Sequence, residues 1–239
     1  MTTVGTAGRR HRLLKVCGIT TPDEVGPLAA AGADLVGLWW GIPGGPADLP
    51  VARLVELAAT VRATGRLEPV LVTFDSDAER LAEVLRQSGI RWVQLHAYQT
   101  PGMVRALRAA IDPATTVVKV LHVRGTECVE RRFIPAYVRA GTDVFLLDTA
   151  TADGRVGSTG QRLSGDVAAE LVDAFDRPFL LAGGLTADNV DEYEAITAHP
   201  RMHGVDVDTA ARDDTRRFRP ELVTALAARW RTGPPREDR

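Results

Sequence analysis

Cysteine is nearly absent. Cys17 and Cys128 are the two in 239 residues, about a hundred positions apart, which excludes both a secreted disulfide framework and a paired-cysteine zinc spacing. A reduced, cytoplasmic compartment is the expectation. No apolar run is long enough to span a bilayer. The opening Met1 to Arg12 carries arginines but no apolar h-region, so it reads as a loose arm rather than a secretory signal. Basic excess is missing too: 29 Lys plus Arg stand against 31 Asp plus Glu, a net charge of −2, with nothing spare to neutralise a nucleic-acid backbone. There is no low-complexity tract, and the spaced glycines of a dinucleotide fingerprint do not follow the first apolar run. What remains is chemistry on a small molecule, without a nucleic-acid or membrane partner.

What the chain does have is a countable alternation. Hydrophobic residues make up 45% and charged residues 25%, enough to build an ordinary globular core. Short apolar runs near 13–18, 34–40, 69–74, 91–96, 116–121, 143–148, 178–182 and 203–207 read as strands. Runs such as Pro69-Val-Leu-Val-Thr-Phe74 are almost continuously apolar, as parallel strands covered on both faces should be. Between them, stretches near 22–31, 50–64, 77–89, 101–112, 127–140, 164–176, 187–197 and 219–231 read as helices. Leu54, Val55, Leu57, Ala58 and Val61, for example, fall at helical spacing. Eight βα units predict a single (β/α)8 barrel over 13–231, followed by a flexible tail over 232–239. An open doubly wound sheet is the alternative.

In a barrel the C-terminal strand ends carry the chemistry. The first strand delivers Cys17 to such an end, just before Thr20, Thr21 and Pro22 open a helix. The sixth delivers Asp148 after four apolar residues, where a carboxylate must be solvated by a cavity or paired. A thiol is a possible base and a carboxyl a possible acid, although a buried cysteine can equally be packing. Gln94 and His96 alternate on one strand and point the same way. Trp39 and Trp40 point to opposite faces, one toward the helices and one toward the mouth.

Several of these ends together resemble the phosphoribosylanthranilate isomerase family. The matching stretches are Lys15-Val-Cys-Gly-Ile-Thr20, Gly32-Ala-Asp-Leu-Val-Gly37, Val93-Gln-Leu-His96, Leu146-Leu-Asp-Thr149, Gly157-Ser-Thr-Gly160, Leu181-Ala-Gly-Gly-Leu-Thr186 and Gly204-Val-Asp-Val207. They occur in the family's order across nearly the whole barrel. The resemblance implies an Amadori rearrangement without metal or cofactor, with Cys17 as general base and Asp148 as general acid. It implies substrate contacts at Gln94, His96, Trp40 and Asp206, and a phosphate at Gly183, Gly184, Thr209 and Arg212. For work near neutrality the thiol should be pushed down and the carboxyl up. The family occurs as monomers and dimers.

This chain departs from the family at two loops. No arginine occurs from Trp39 to Ala52, where the family carries one for the anthranilate carboxylate. Asp208-Thr209-Ala210 replaces a Ser-Ser-Gly turn beside the phosphate. Two further readings follow from these changes: an acid/base enzyme on an unphosphorylated glycosylamine or keto compound, and a barrel that binds without turnover.

Overall fold

A computed structural model describes residues 11–149 and 163–231. Eight strands, β1 (Leu13–Cys17), β2 (Leu35–Trp39), β3 (Glu68–Thr73), β4 (Trp92–Leu95), β5 (Thr116–Arg124), β6 (Val144–Thr149), β7 (Phe179–Leu181) and β8 (Met202–Val207), pair in parallel in chain order. β8 pairs back onto β1, which closes the circle. Helices α1 (Val25–Ala30), α2 (Val51–Ala63), α3 (Ala78–Ser88), α4 (Pro101–Ala110), α5 (Ile134–Ala140), α6 (Gly165–Val172), α7 (Glu194–Thr197) and α8 (Pro220–Trp230) surround it. This is the predicted (β/α)8 barrel.

Strand parity sorts the side chains into two layers. Outward residues such as Leu14, Val16, Val36, Leu38, Val93 and Leu147 join the helices in one large core. Inward residues form smaller clusters inside the barrel: Val118, Val120, Val144, Leu146, Leu180 and Ala182 on one side, and Leu35, Val70, Val72 and Cys17 on the other. These clusters fill the barrel interior. Local chemistry sets the helix ends: Asp77 accepts from Glu79 N and Arg80 N at the start of α3, and Gly89, at φ 64°, ends that helix.

Two predicted helices lose half or more of their length. The stretch over 127–140 begins its helix only at Ile134, because β5 runs on to Arg124 and turns back through the antiparallel pair Glu127–Cys128. Glu130 anchors this excursion: its carboxylate accepts from His122 N at 2.9 Å and meets His122 Nδ1 at 2.6 Å, fully buried. The stretch over 187–197 becomes a 3-10 turn and the four residues of α7. Asn189 holds the preceding backbone in a turn, accepting from Thr186 N and donating to Gly184 O.

The expected arm ends earlier than residue 12: His11 sits 3.0 Å from Asp34 Oδ1, and Arg12 donates to Thr197 O. The rest of the arm, the 232–239 tail and the Gly157–Gly160 motif lie outside the described residues.

Candidate active site

β1 and β6 stand apart in the chain, yet both point their last inward side chain into one cavity. Cys17, His96, Asp148, Gly183, Asp206 and Thr209 line it, and the space between them, with the open mouth included, is about 580 Å³. The two strand-end groups singled out in the sequence are thus neighbours across a common space.

Around the sulfur the structure adds Lys15 and Gly37, which strand-end reasoning passed over, and selects Trp39 of the two adjacent tryptophans. Lys15 lies two positions before Cys17 and so on the same inward face. It is fully buried, with Nζ 2.7 Å from Asp206 Oδ2. Burial by itself would lower the Lys15 ammonium, but Asp206 and Cys17 hold it above its ordinary value. Gly37 is the β2 residue paired with Cys17. A Cβ placed there would lie 2.6 Å from Cys17 Sγ and 3.2 Å from Lys15 Nζ, so the missing side chain leaves the room in which thiol and ammonium meet. Trp39 closes the arrangement, its indole Nε1 donating to Cys17 Sγ at 3.2 Å. A readable signal existed for Lys15, since a cation inside an apolar strand must be paired.

The thiol shift is opposite to the one expected. Burial pushes Cys17 up to about 12, with Asp206 and Asp208 adding to the effect and Lys15 and the Trp39 N–H opposing it. Burial thus favours the thiol over the thiolate.

On the acid side, Asp148 Oδ1 accepts from Thr149 N at 2.8 Å. Oδ2 lies 3.3 Å from His96 Nε2, close enough for charge but without a well-aligned hydrogen bond. Gln94 is completely buried, its Nε2 donating to His96 Nδ1 at 2.8 Å, which leaves the ring proton on Nε2. Gln94 is therefore placed behind His96 rather than on the cavity wall. Asp206 does reach the wall: one oxygen pairs with Lys15, and Oδ1 is buried with no hydrogen-bond partner among the described residues.

Two other expectations are corrected. Trp40 faces away from the cavity, packing against the outer core with Arg80 over its ring; β2 parity puts Trp39, not Trp40, on the inward face with Leu35 and Gly37. Arg212 offers no free guanidinium to an anion. Its Nε donates to Asp208 Oδ1 at 2.6 Å, Nη2 to Gly18 O at 2.8 Å and Nη1 to Arg216 O at 2.9 Å, and it stacks on Phe218 at 3.6 Å. Gly183 and Gly184 line the cavity at φ 90° and 69°. A Cβ on Gly183 would strike Thr149 at 2.9 Å, so this corner requires glycine. Thr209 opens the 3-10 turn beside it.

A family model described as N-(5'-phosphoribosyl)anthranilate isomerase matches residues 15–211. The enzyme of that name from Afipia carboxidovorans is 34% identical over 197 residues, which cover 82% of this chain and 79% of the relative. Among solved structures, phosphoribosyl anthranilate isomerase from Thermus thermophilus superposes with a TM-score of 0.72 at 22% identity, covering 91% of this chain and 97% of that one. A second phosphoribosyl anthranilate isomerase, in complex with reduced 1-(o-carboxyphenylamino)-1-deoxyribulose 5-phosphate, gives a TM-score of 0.69 at 22% identity, with coverage of 91% and 97%.

Proposed function

The chain belongs to the N-(5'-phosphoribosyl)anthranilate isomerase family, and from that premise we propose how its cavity performs the reaction. The activity is an Amadori-type aldose–ketose isomerisation of phosphoribosylanthranilate, carried out by an intramolecular oxidoreductase of the tryptophan pathway. Asp148 gives its proton to the furanose ring oxygen as the C1′–O bond breaks, which opens the sugar to an imine. Cys17, as thiolate, takes the proton from C2′ to give the enolamine, and tautomerisation delivers the ketose. The observation that carries these roles is that the two groups, from strands far apart in sequence, line one cavity.

The surroundings suit each role. Cys17 must lose its proton before it acts, and the Lys15 ammonium and the Trp39 N–H are the groups beside it that favour the anion. His96, with its proton on Nε2, faces the carboxylate that Asp148 becomes after donating. Asp206 Oδ1, buried with no hydrogen-bond partner among the described residues, is an acceptor for a sugar hydroxyl. The phosphate is assigned to the backbone at Gly183, Gly184 and Thr209. Asp208 need not repel it, because Arg212 neutralises that carboxylate at 2.6 Å.

The test is to follow the loss of phosphoribosylanthranilate fluorescence with wild type, Cys17→Ala and Asp148→Asn. Each variant should lose roughly 10²–10⁴-fold in kcat, the usual worth of a positioned acid or base. Turnover at the wild-type rate in either variant removes that residue's role, and an inactive wild type removes the substrate.

A further inference from the structure

We propose that Trp39 is a positioning residue for the reaction, its indole N–H holding the Cys17 sulfur and stabilising the thiolate. This rests on Cys17 being the base. Three observations support it. The Nε1 to Sγ distance of 3.2 Å is a hydrogen bond to sulfur, and Trp39 is the donor. The indole packs against the inward cluster of Cys17, Leu35, Ile42, Val70 and Val72, beside Gly18 and Gly45, and the Trp39 carbonyl accepts from Leu49 N at 2.9 Å. The backbone that carries the sulfur is fixed from the other side, since Arg212 donates to both Cys17 O and Gly18 O.

The chemical need is specific. Burial penalises a charged sulfur, and a neutral donor aimed at the atom that gains charge offsets part of that penalty without adding a charge of its own. Lys15 does not act alone: its ammonium favours the anion but is shared with Asp206 at 2.7 Å, whose carboxylate opposes the thiolate. Trp39 and Lys15 thus reach the sulfur as two separate donors. Trp39 also brings an aromatic wall to the end of β2, in the stretch from Trp39 to Ala52 that contains no arginine.

The experiment uses Trp39→Phe, which keeps an inward aromatic ring and removes the N–H, in the full-length chain with Cys128→Ser so that Cys17 is the single thiol. Two quantities are read: kcat and KM for phosphoribosylanthranilate as a function of pH, and thiolate absorbance near 240 nm on alkaline titration. The expected result is a fall in kcat of at least about tenfold at neutral pH, as for loss of a hydrogen bond to a charged group. KM should stay within about twofold, and both the thiolate titration and the Cys17 limb of the rate profile should move to higher pH. A variant that folds, as its circular dichroism reports, and keeps the wild-type titration and profile overturns the proposal. The Cys17→Ala control separates the two failures. If that control is active, Cys17 is not the base. If it is inactive while Trp39→Phe is unchanged, the base stands and the positioning role falls. A Trp39→Phe chain that loses activity without any shift in the thiolate titration also overturns it, because packing alone then explains the loss.

Discussion

At the scale of single residues, the site depends as much on an absent side chain as on those present. Gly37 leaves open the volume where Cys17 Sγ and Lys15 Nζ converge. Gly37→Ala should therefore displace the sulfur and lower kcat by roughly 10²-fold, the cost of misplacing a reacting group by about an ångström, while stability falls by about 1–3 kcal/mol. Steady-state kinetics beside urea unfolding checks this; a fully active variant would mean that the sulfur is not held where the structure puts it. The thiol itself gives a second prediction. With burial pushing Cys17 up to about 12, alkylation by iodoacetamide in the Cys128→Ser background should rise about tenfold per pH unit from pH 7 to 9 without a plateau, because the thiolate is the reactive form. A plateau below pH 9 would contradict it. Cys17 and Asp148 were legible because each ends an apolar run. Trp39 was not, since which of two adjacent tryptophans faces inward depends on parity relative to neighbouring strands.

At the scale of elements, the turn between β8 and α8 is tied to β1 through one side chain. Arg212 spans Asp208, the Gly18 carbonyl and the Phe218 ring, and both members of its ion pair are largely buried. Removing the guanidinium takes from Asp208 its ionic partner at 2.6 Å, beside the proposed phosphate corner. Arg212→Met should destabilise the fold by roughly 3 kcal/mol, as when one partner of a buried pair is lost, and raise KM for phosphoribosylanthranilate about tenfold or more. Adding Asp208→Asn should restore much of both, and a double-mutant cycle on KM and on unfolding free energy measures the coupling. Additive effects would show that the two side chains do not act as a pair. The sequence placed Asp208 at a strand end and Arg212 in the turn after it, but a charge count could not show that Arg212 is consumed by Asp208. The shortened helix at α5 has a related origin: Glu130 lies in an apparently helical stretch, and its bonds to His122 are contacts between elements that local periodicity does not register.

At the scale of the whole molecule, the chain contains two lysines, Lys15 and Lys119, and both are buried in the barrel wall. Lys119 points outward from β5, its Nζ donating to Ala97 O at 2.7 Å and Val120 O at 2.6 Å, with the Tyr137 ring 5.5 Å away. Burial lowers it to about 8, against the opposing pull of Glu130 and Cys128. The unfolded chain then binds more protons than the folded one between about pH 8 and the ordinary lysine value, so this group's contribution to stability rises with pH across that window. Below it, the buried ammonium costs roughly 3 kcal/mol. The difference in unfolding free energy between wild type and Lys119→Met, measured from pH 7 to 10, should shift in favour of wild type by that order. A difference independent of pH would mean that Lys119 titrates normally.

The sequence by itself determined the barrel, because eight alternations of continuous apolar runs with amphipathic stretches can bury both faces of every strand in few other ways. It determined the strand ends at which an acid and a base stand, and the family those ends belong to. The tertiary structure alone decided which side chains share the cavity: that Trp39 rather than Trp40 meets the sulfur, that Arg212 is spent on Asp208, and that Gln94 stands behind His96. The reason is physical. Periodicity along a strand is a local property fixed by backbone geometry, whereas facing direction and pairing across the barrel follow from the register between strands, which is set by closure of the whole sheet.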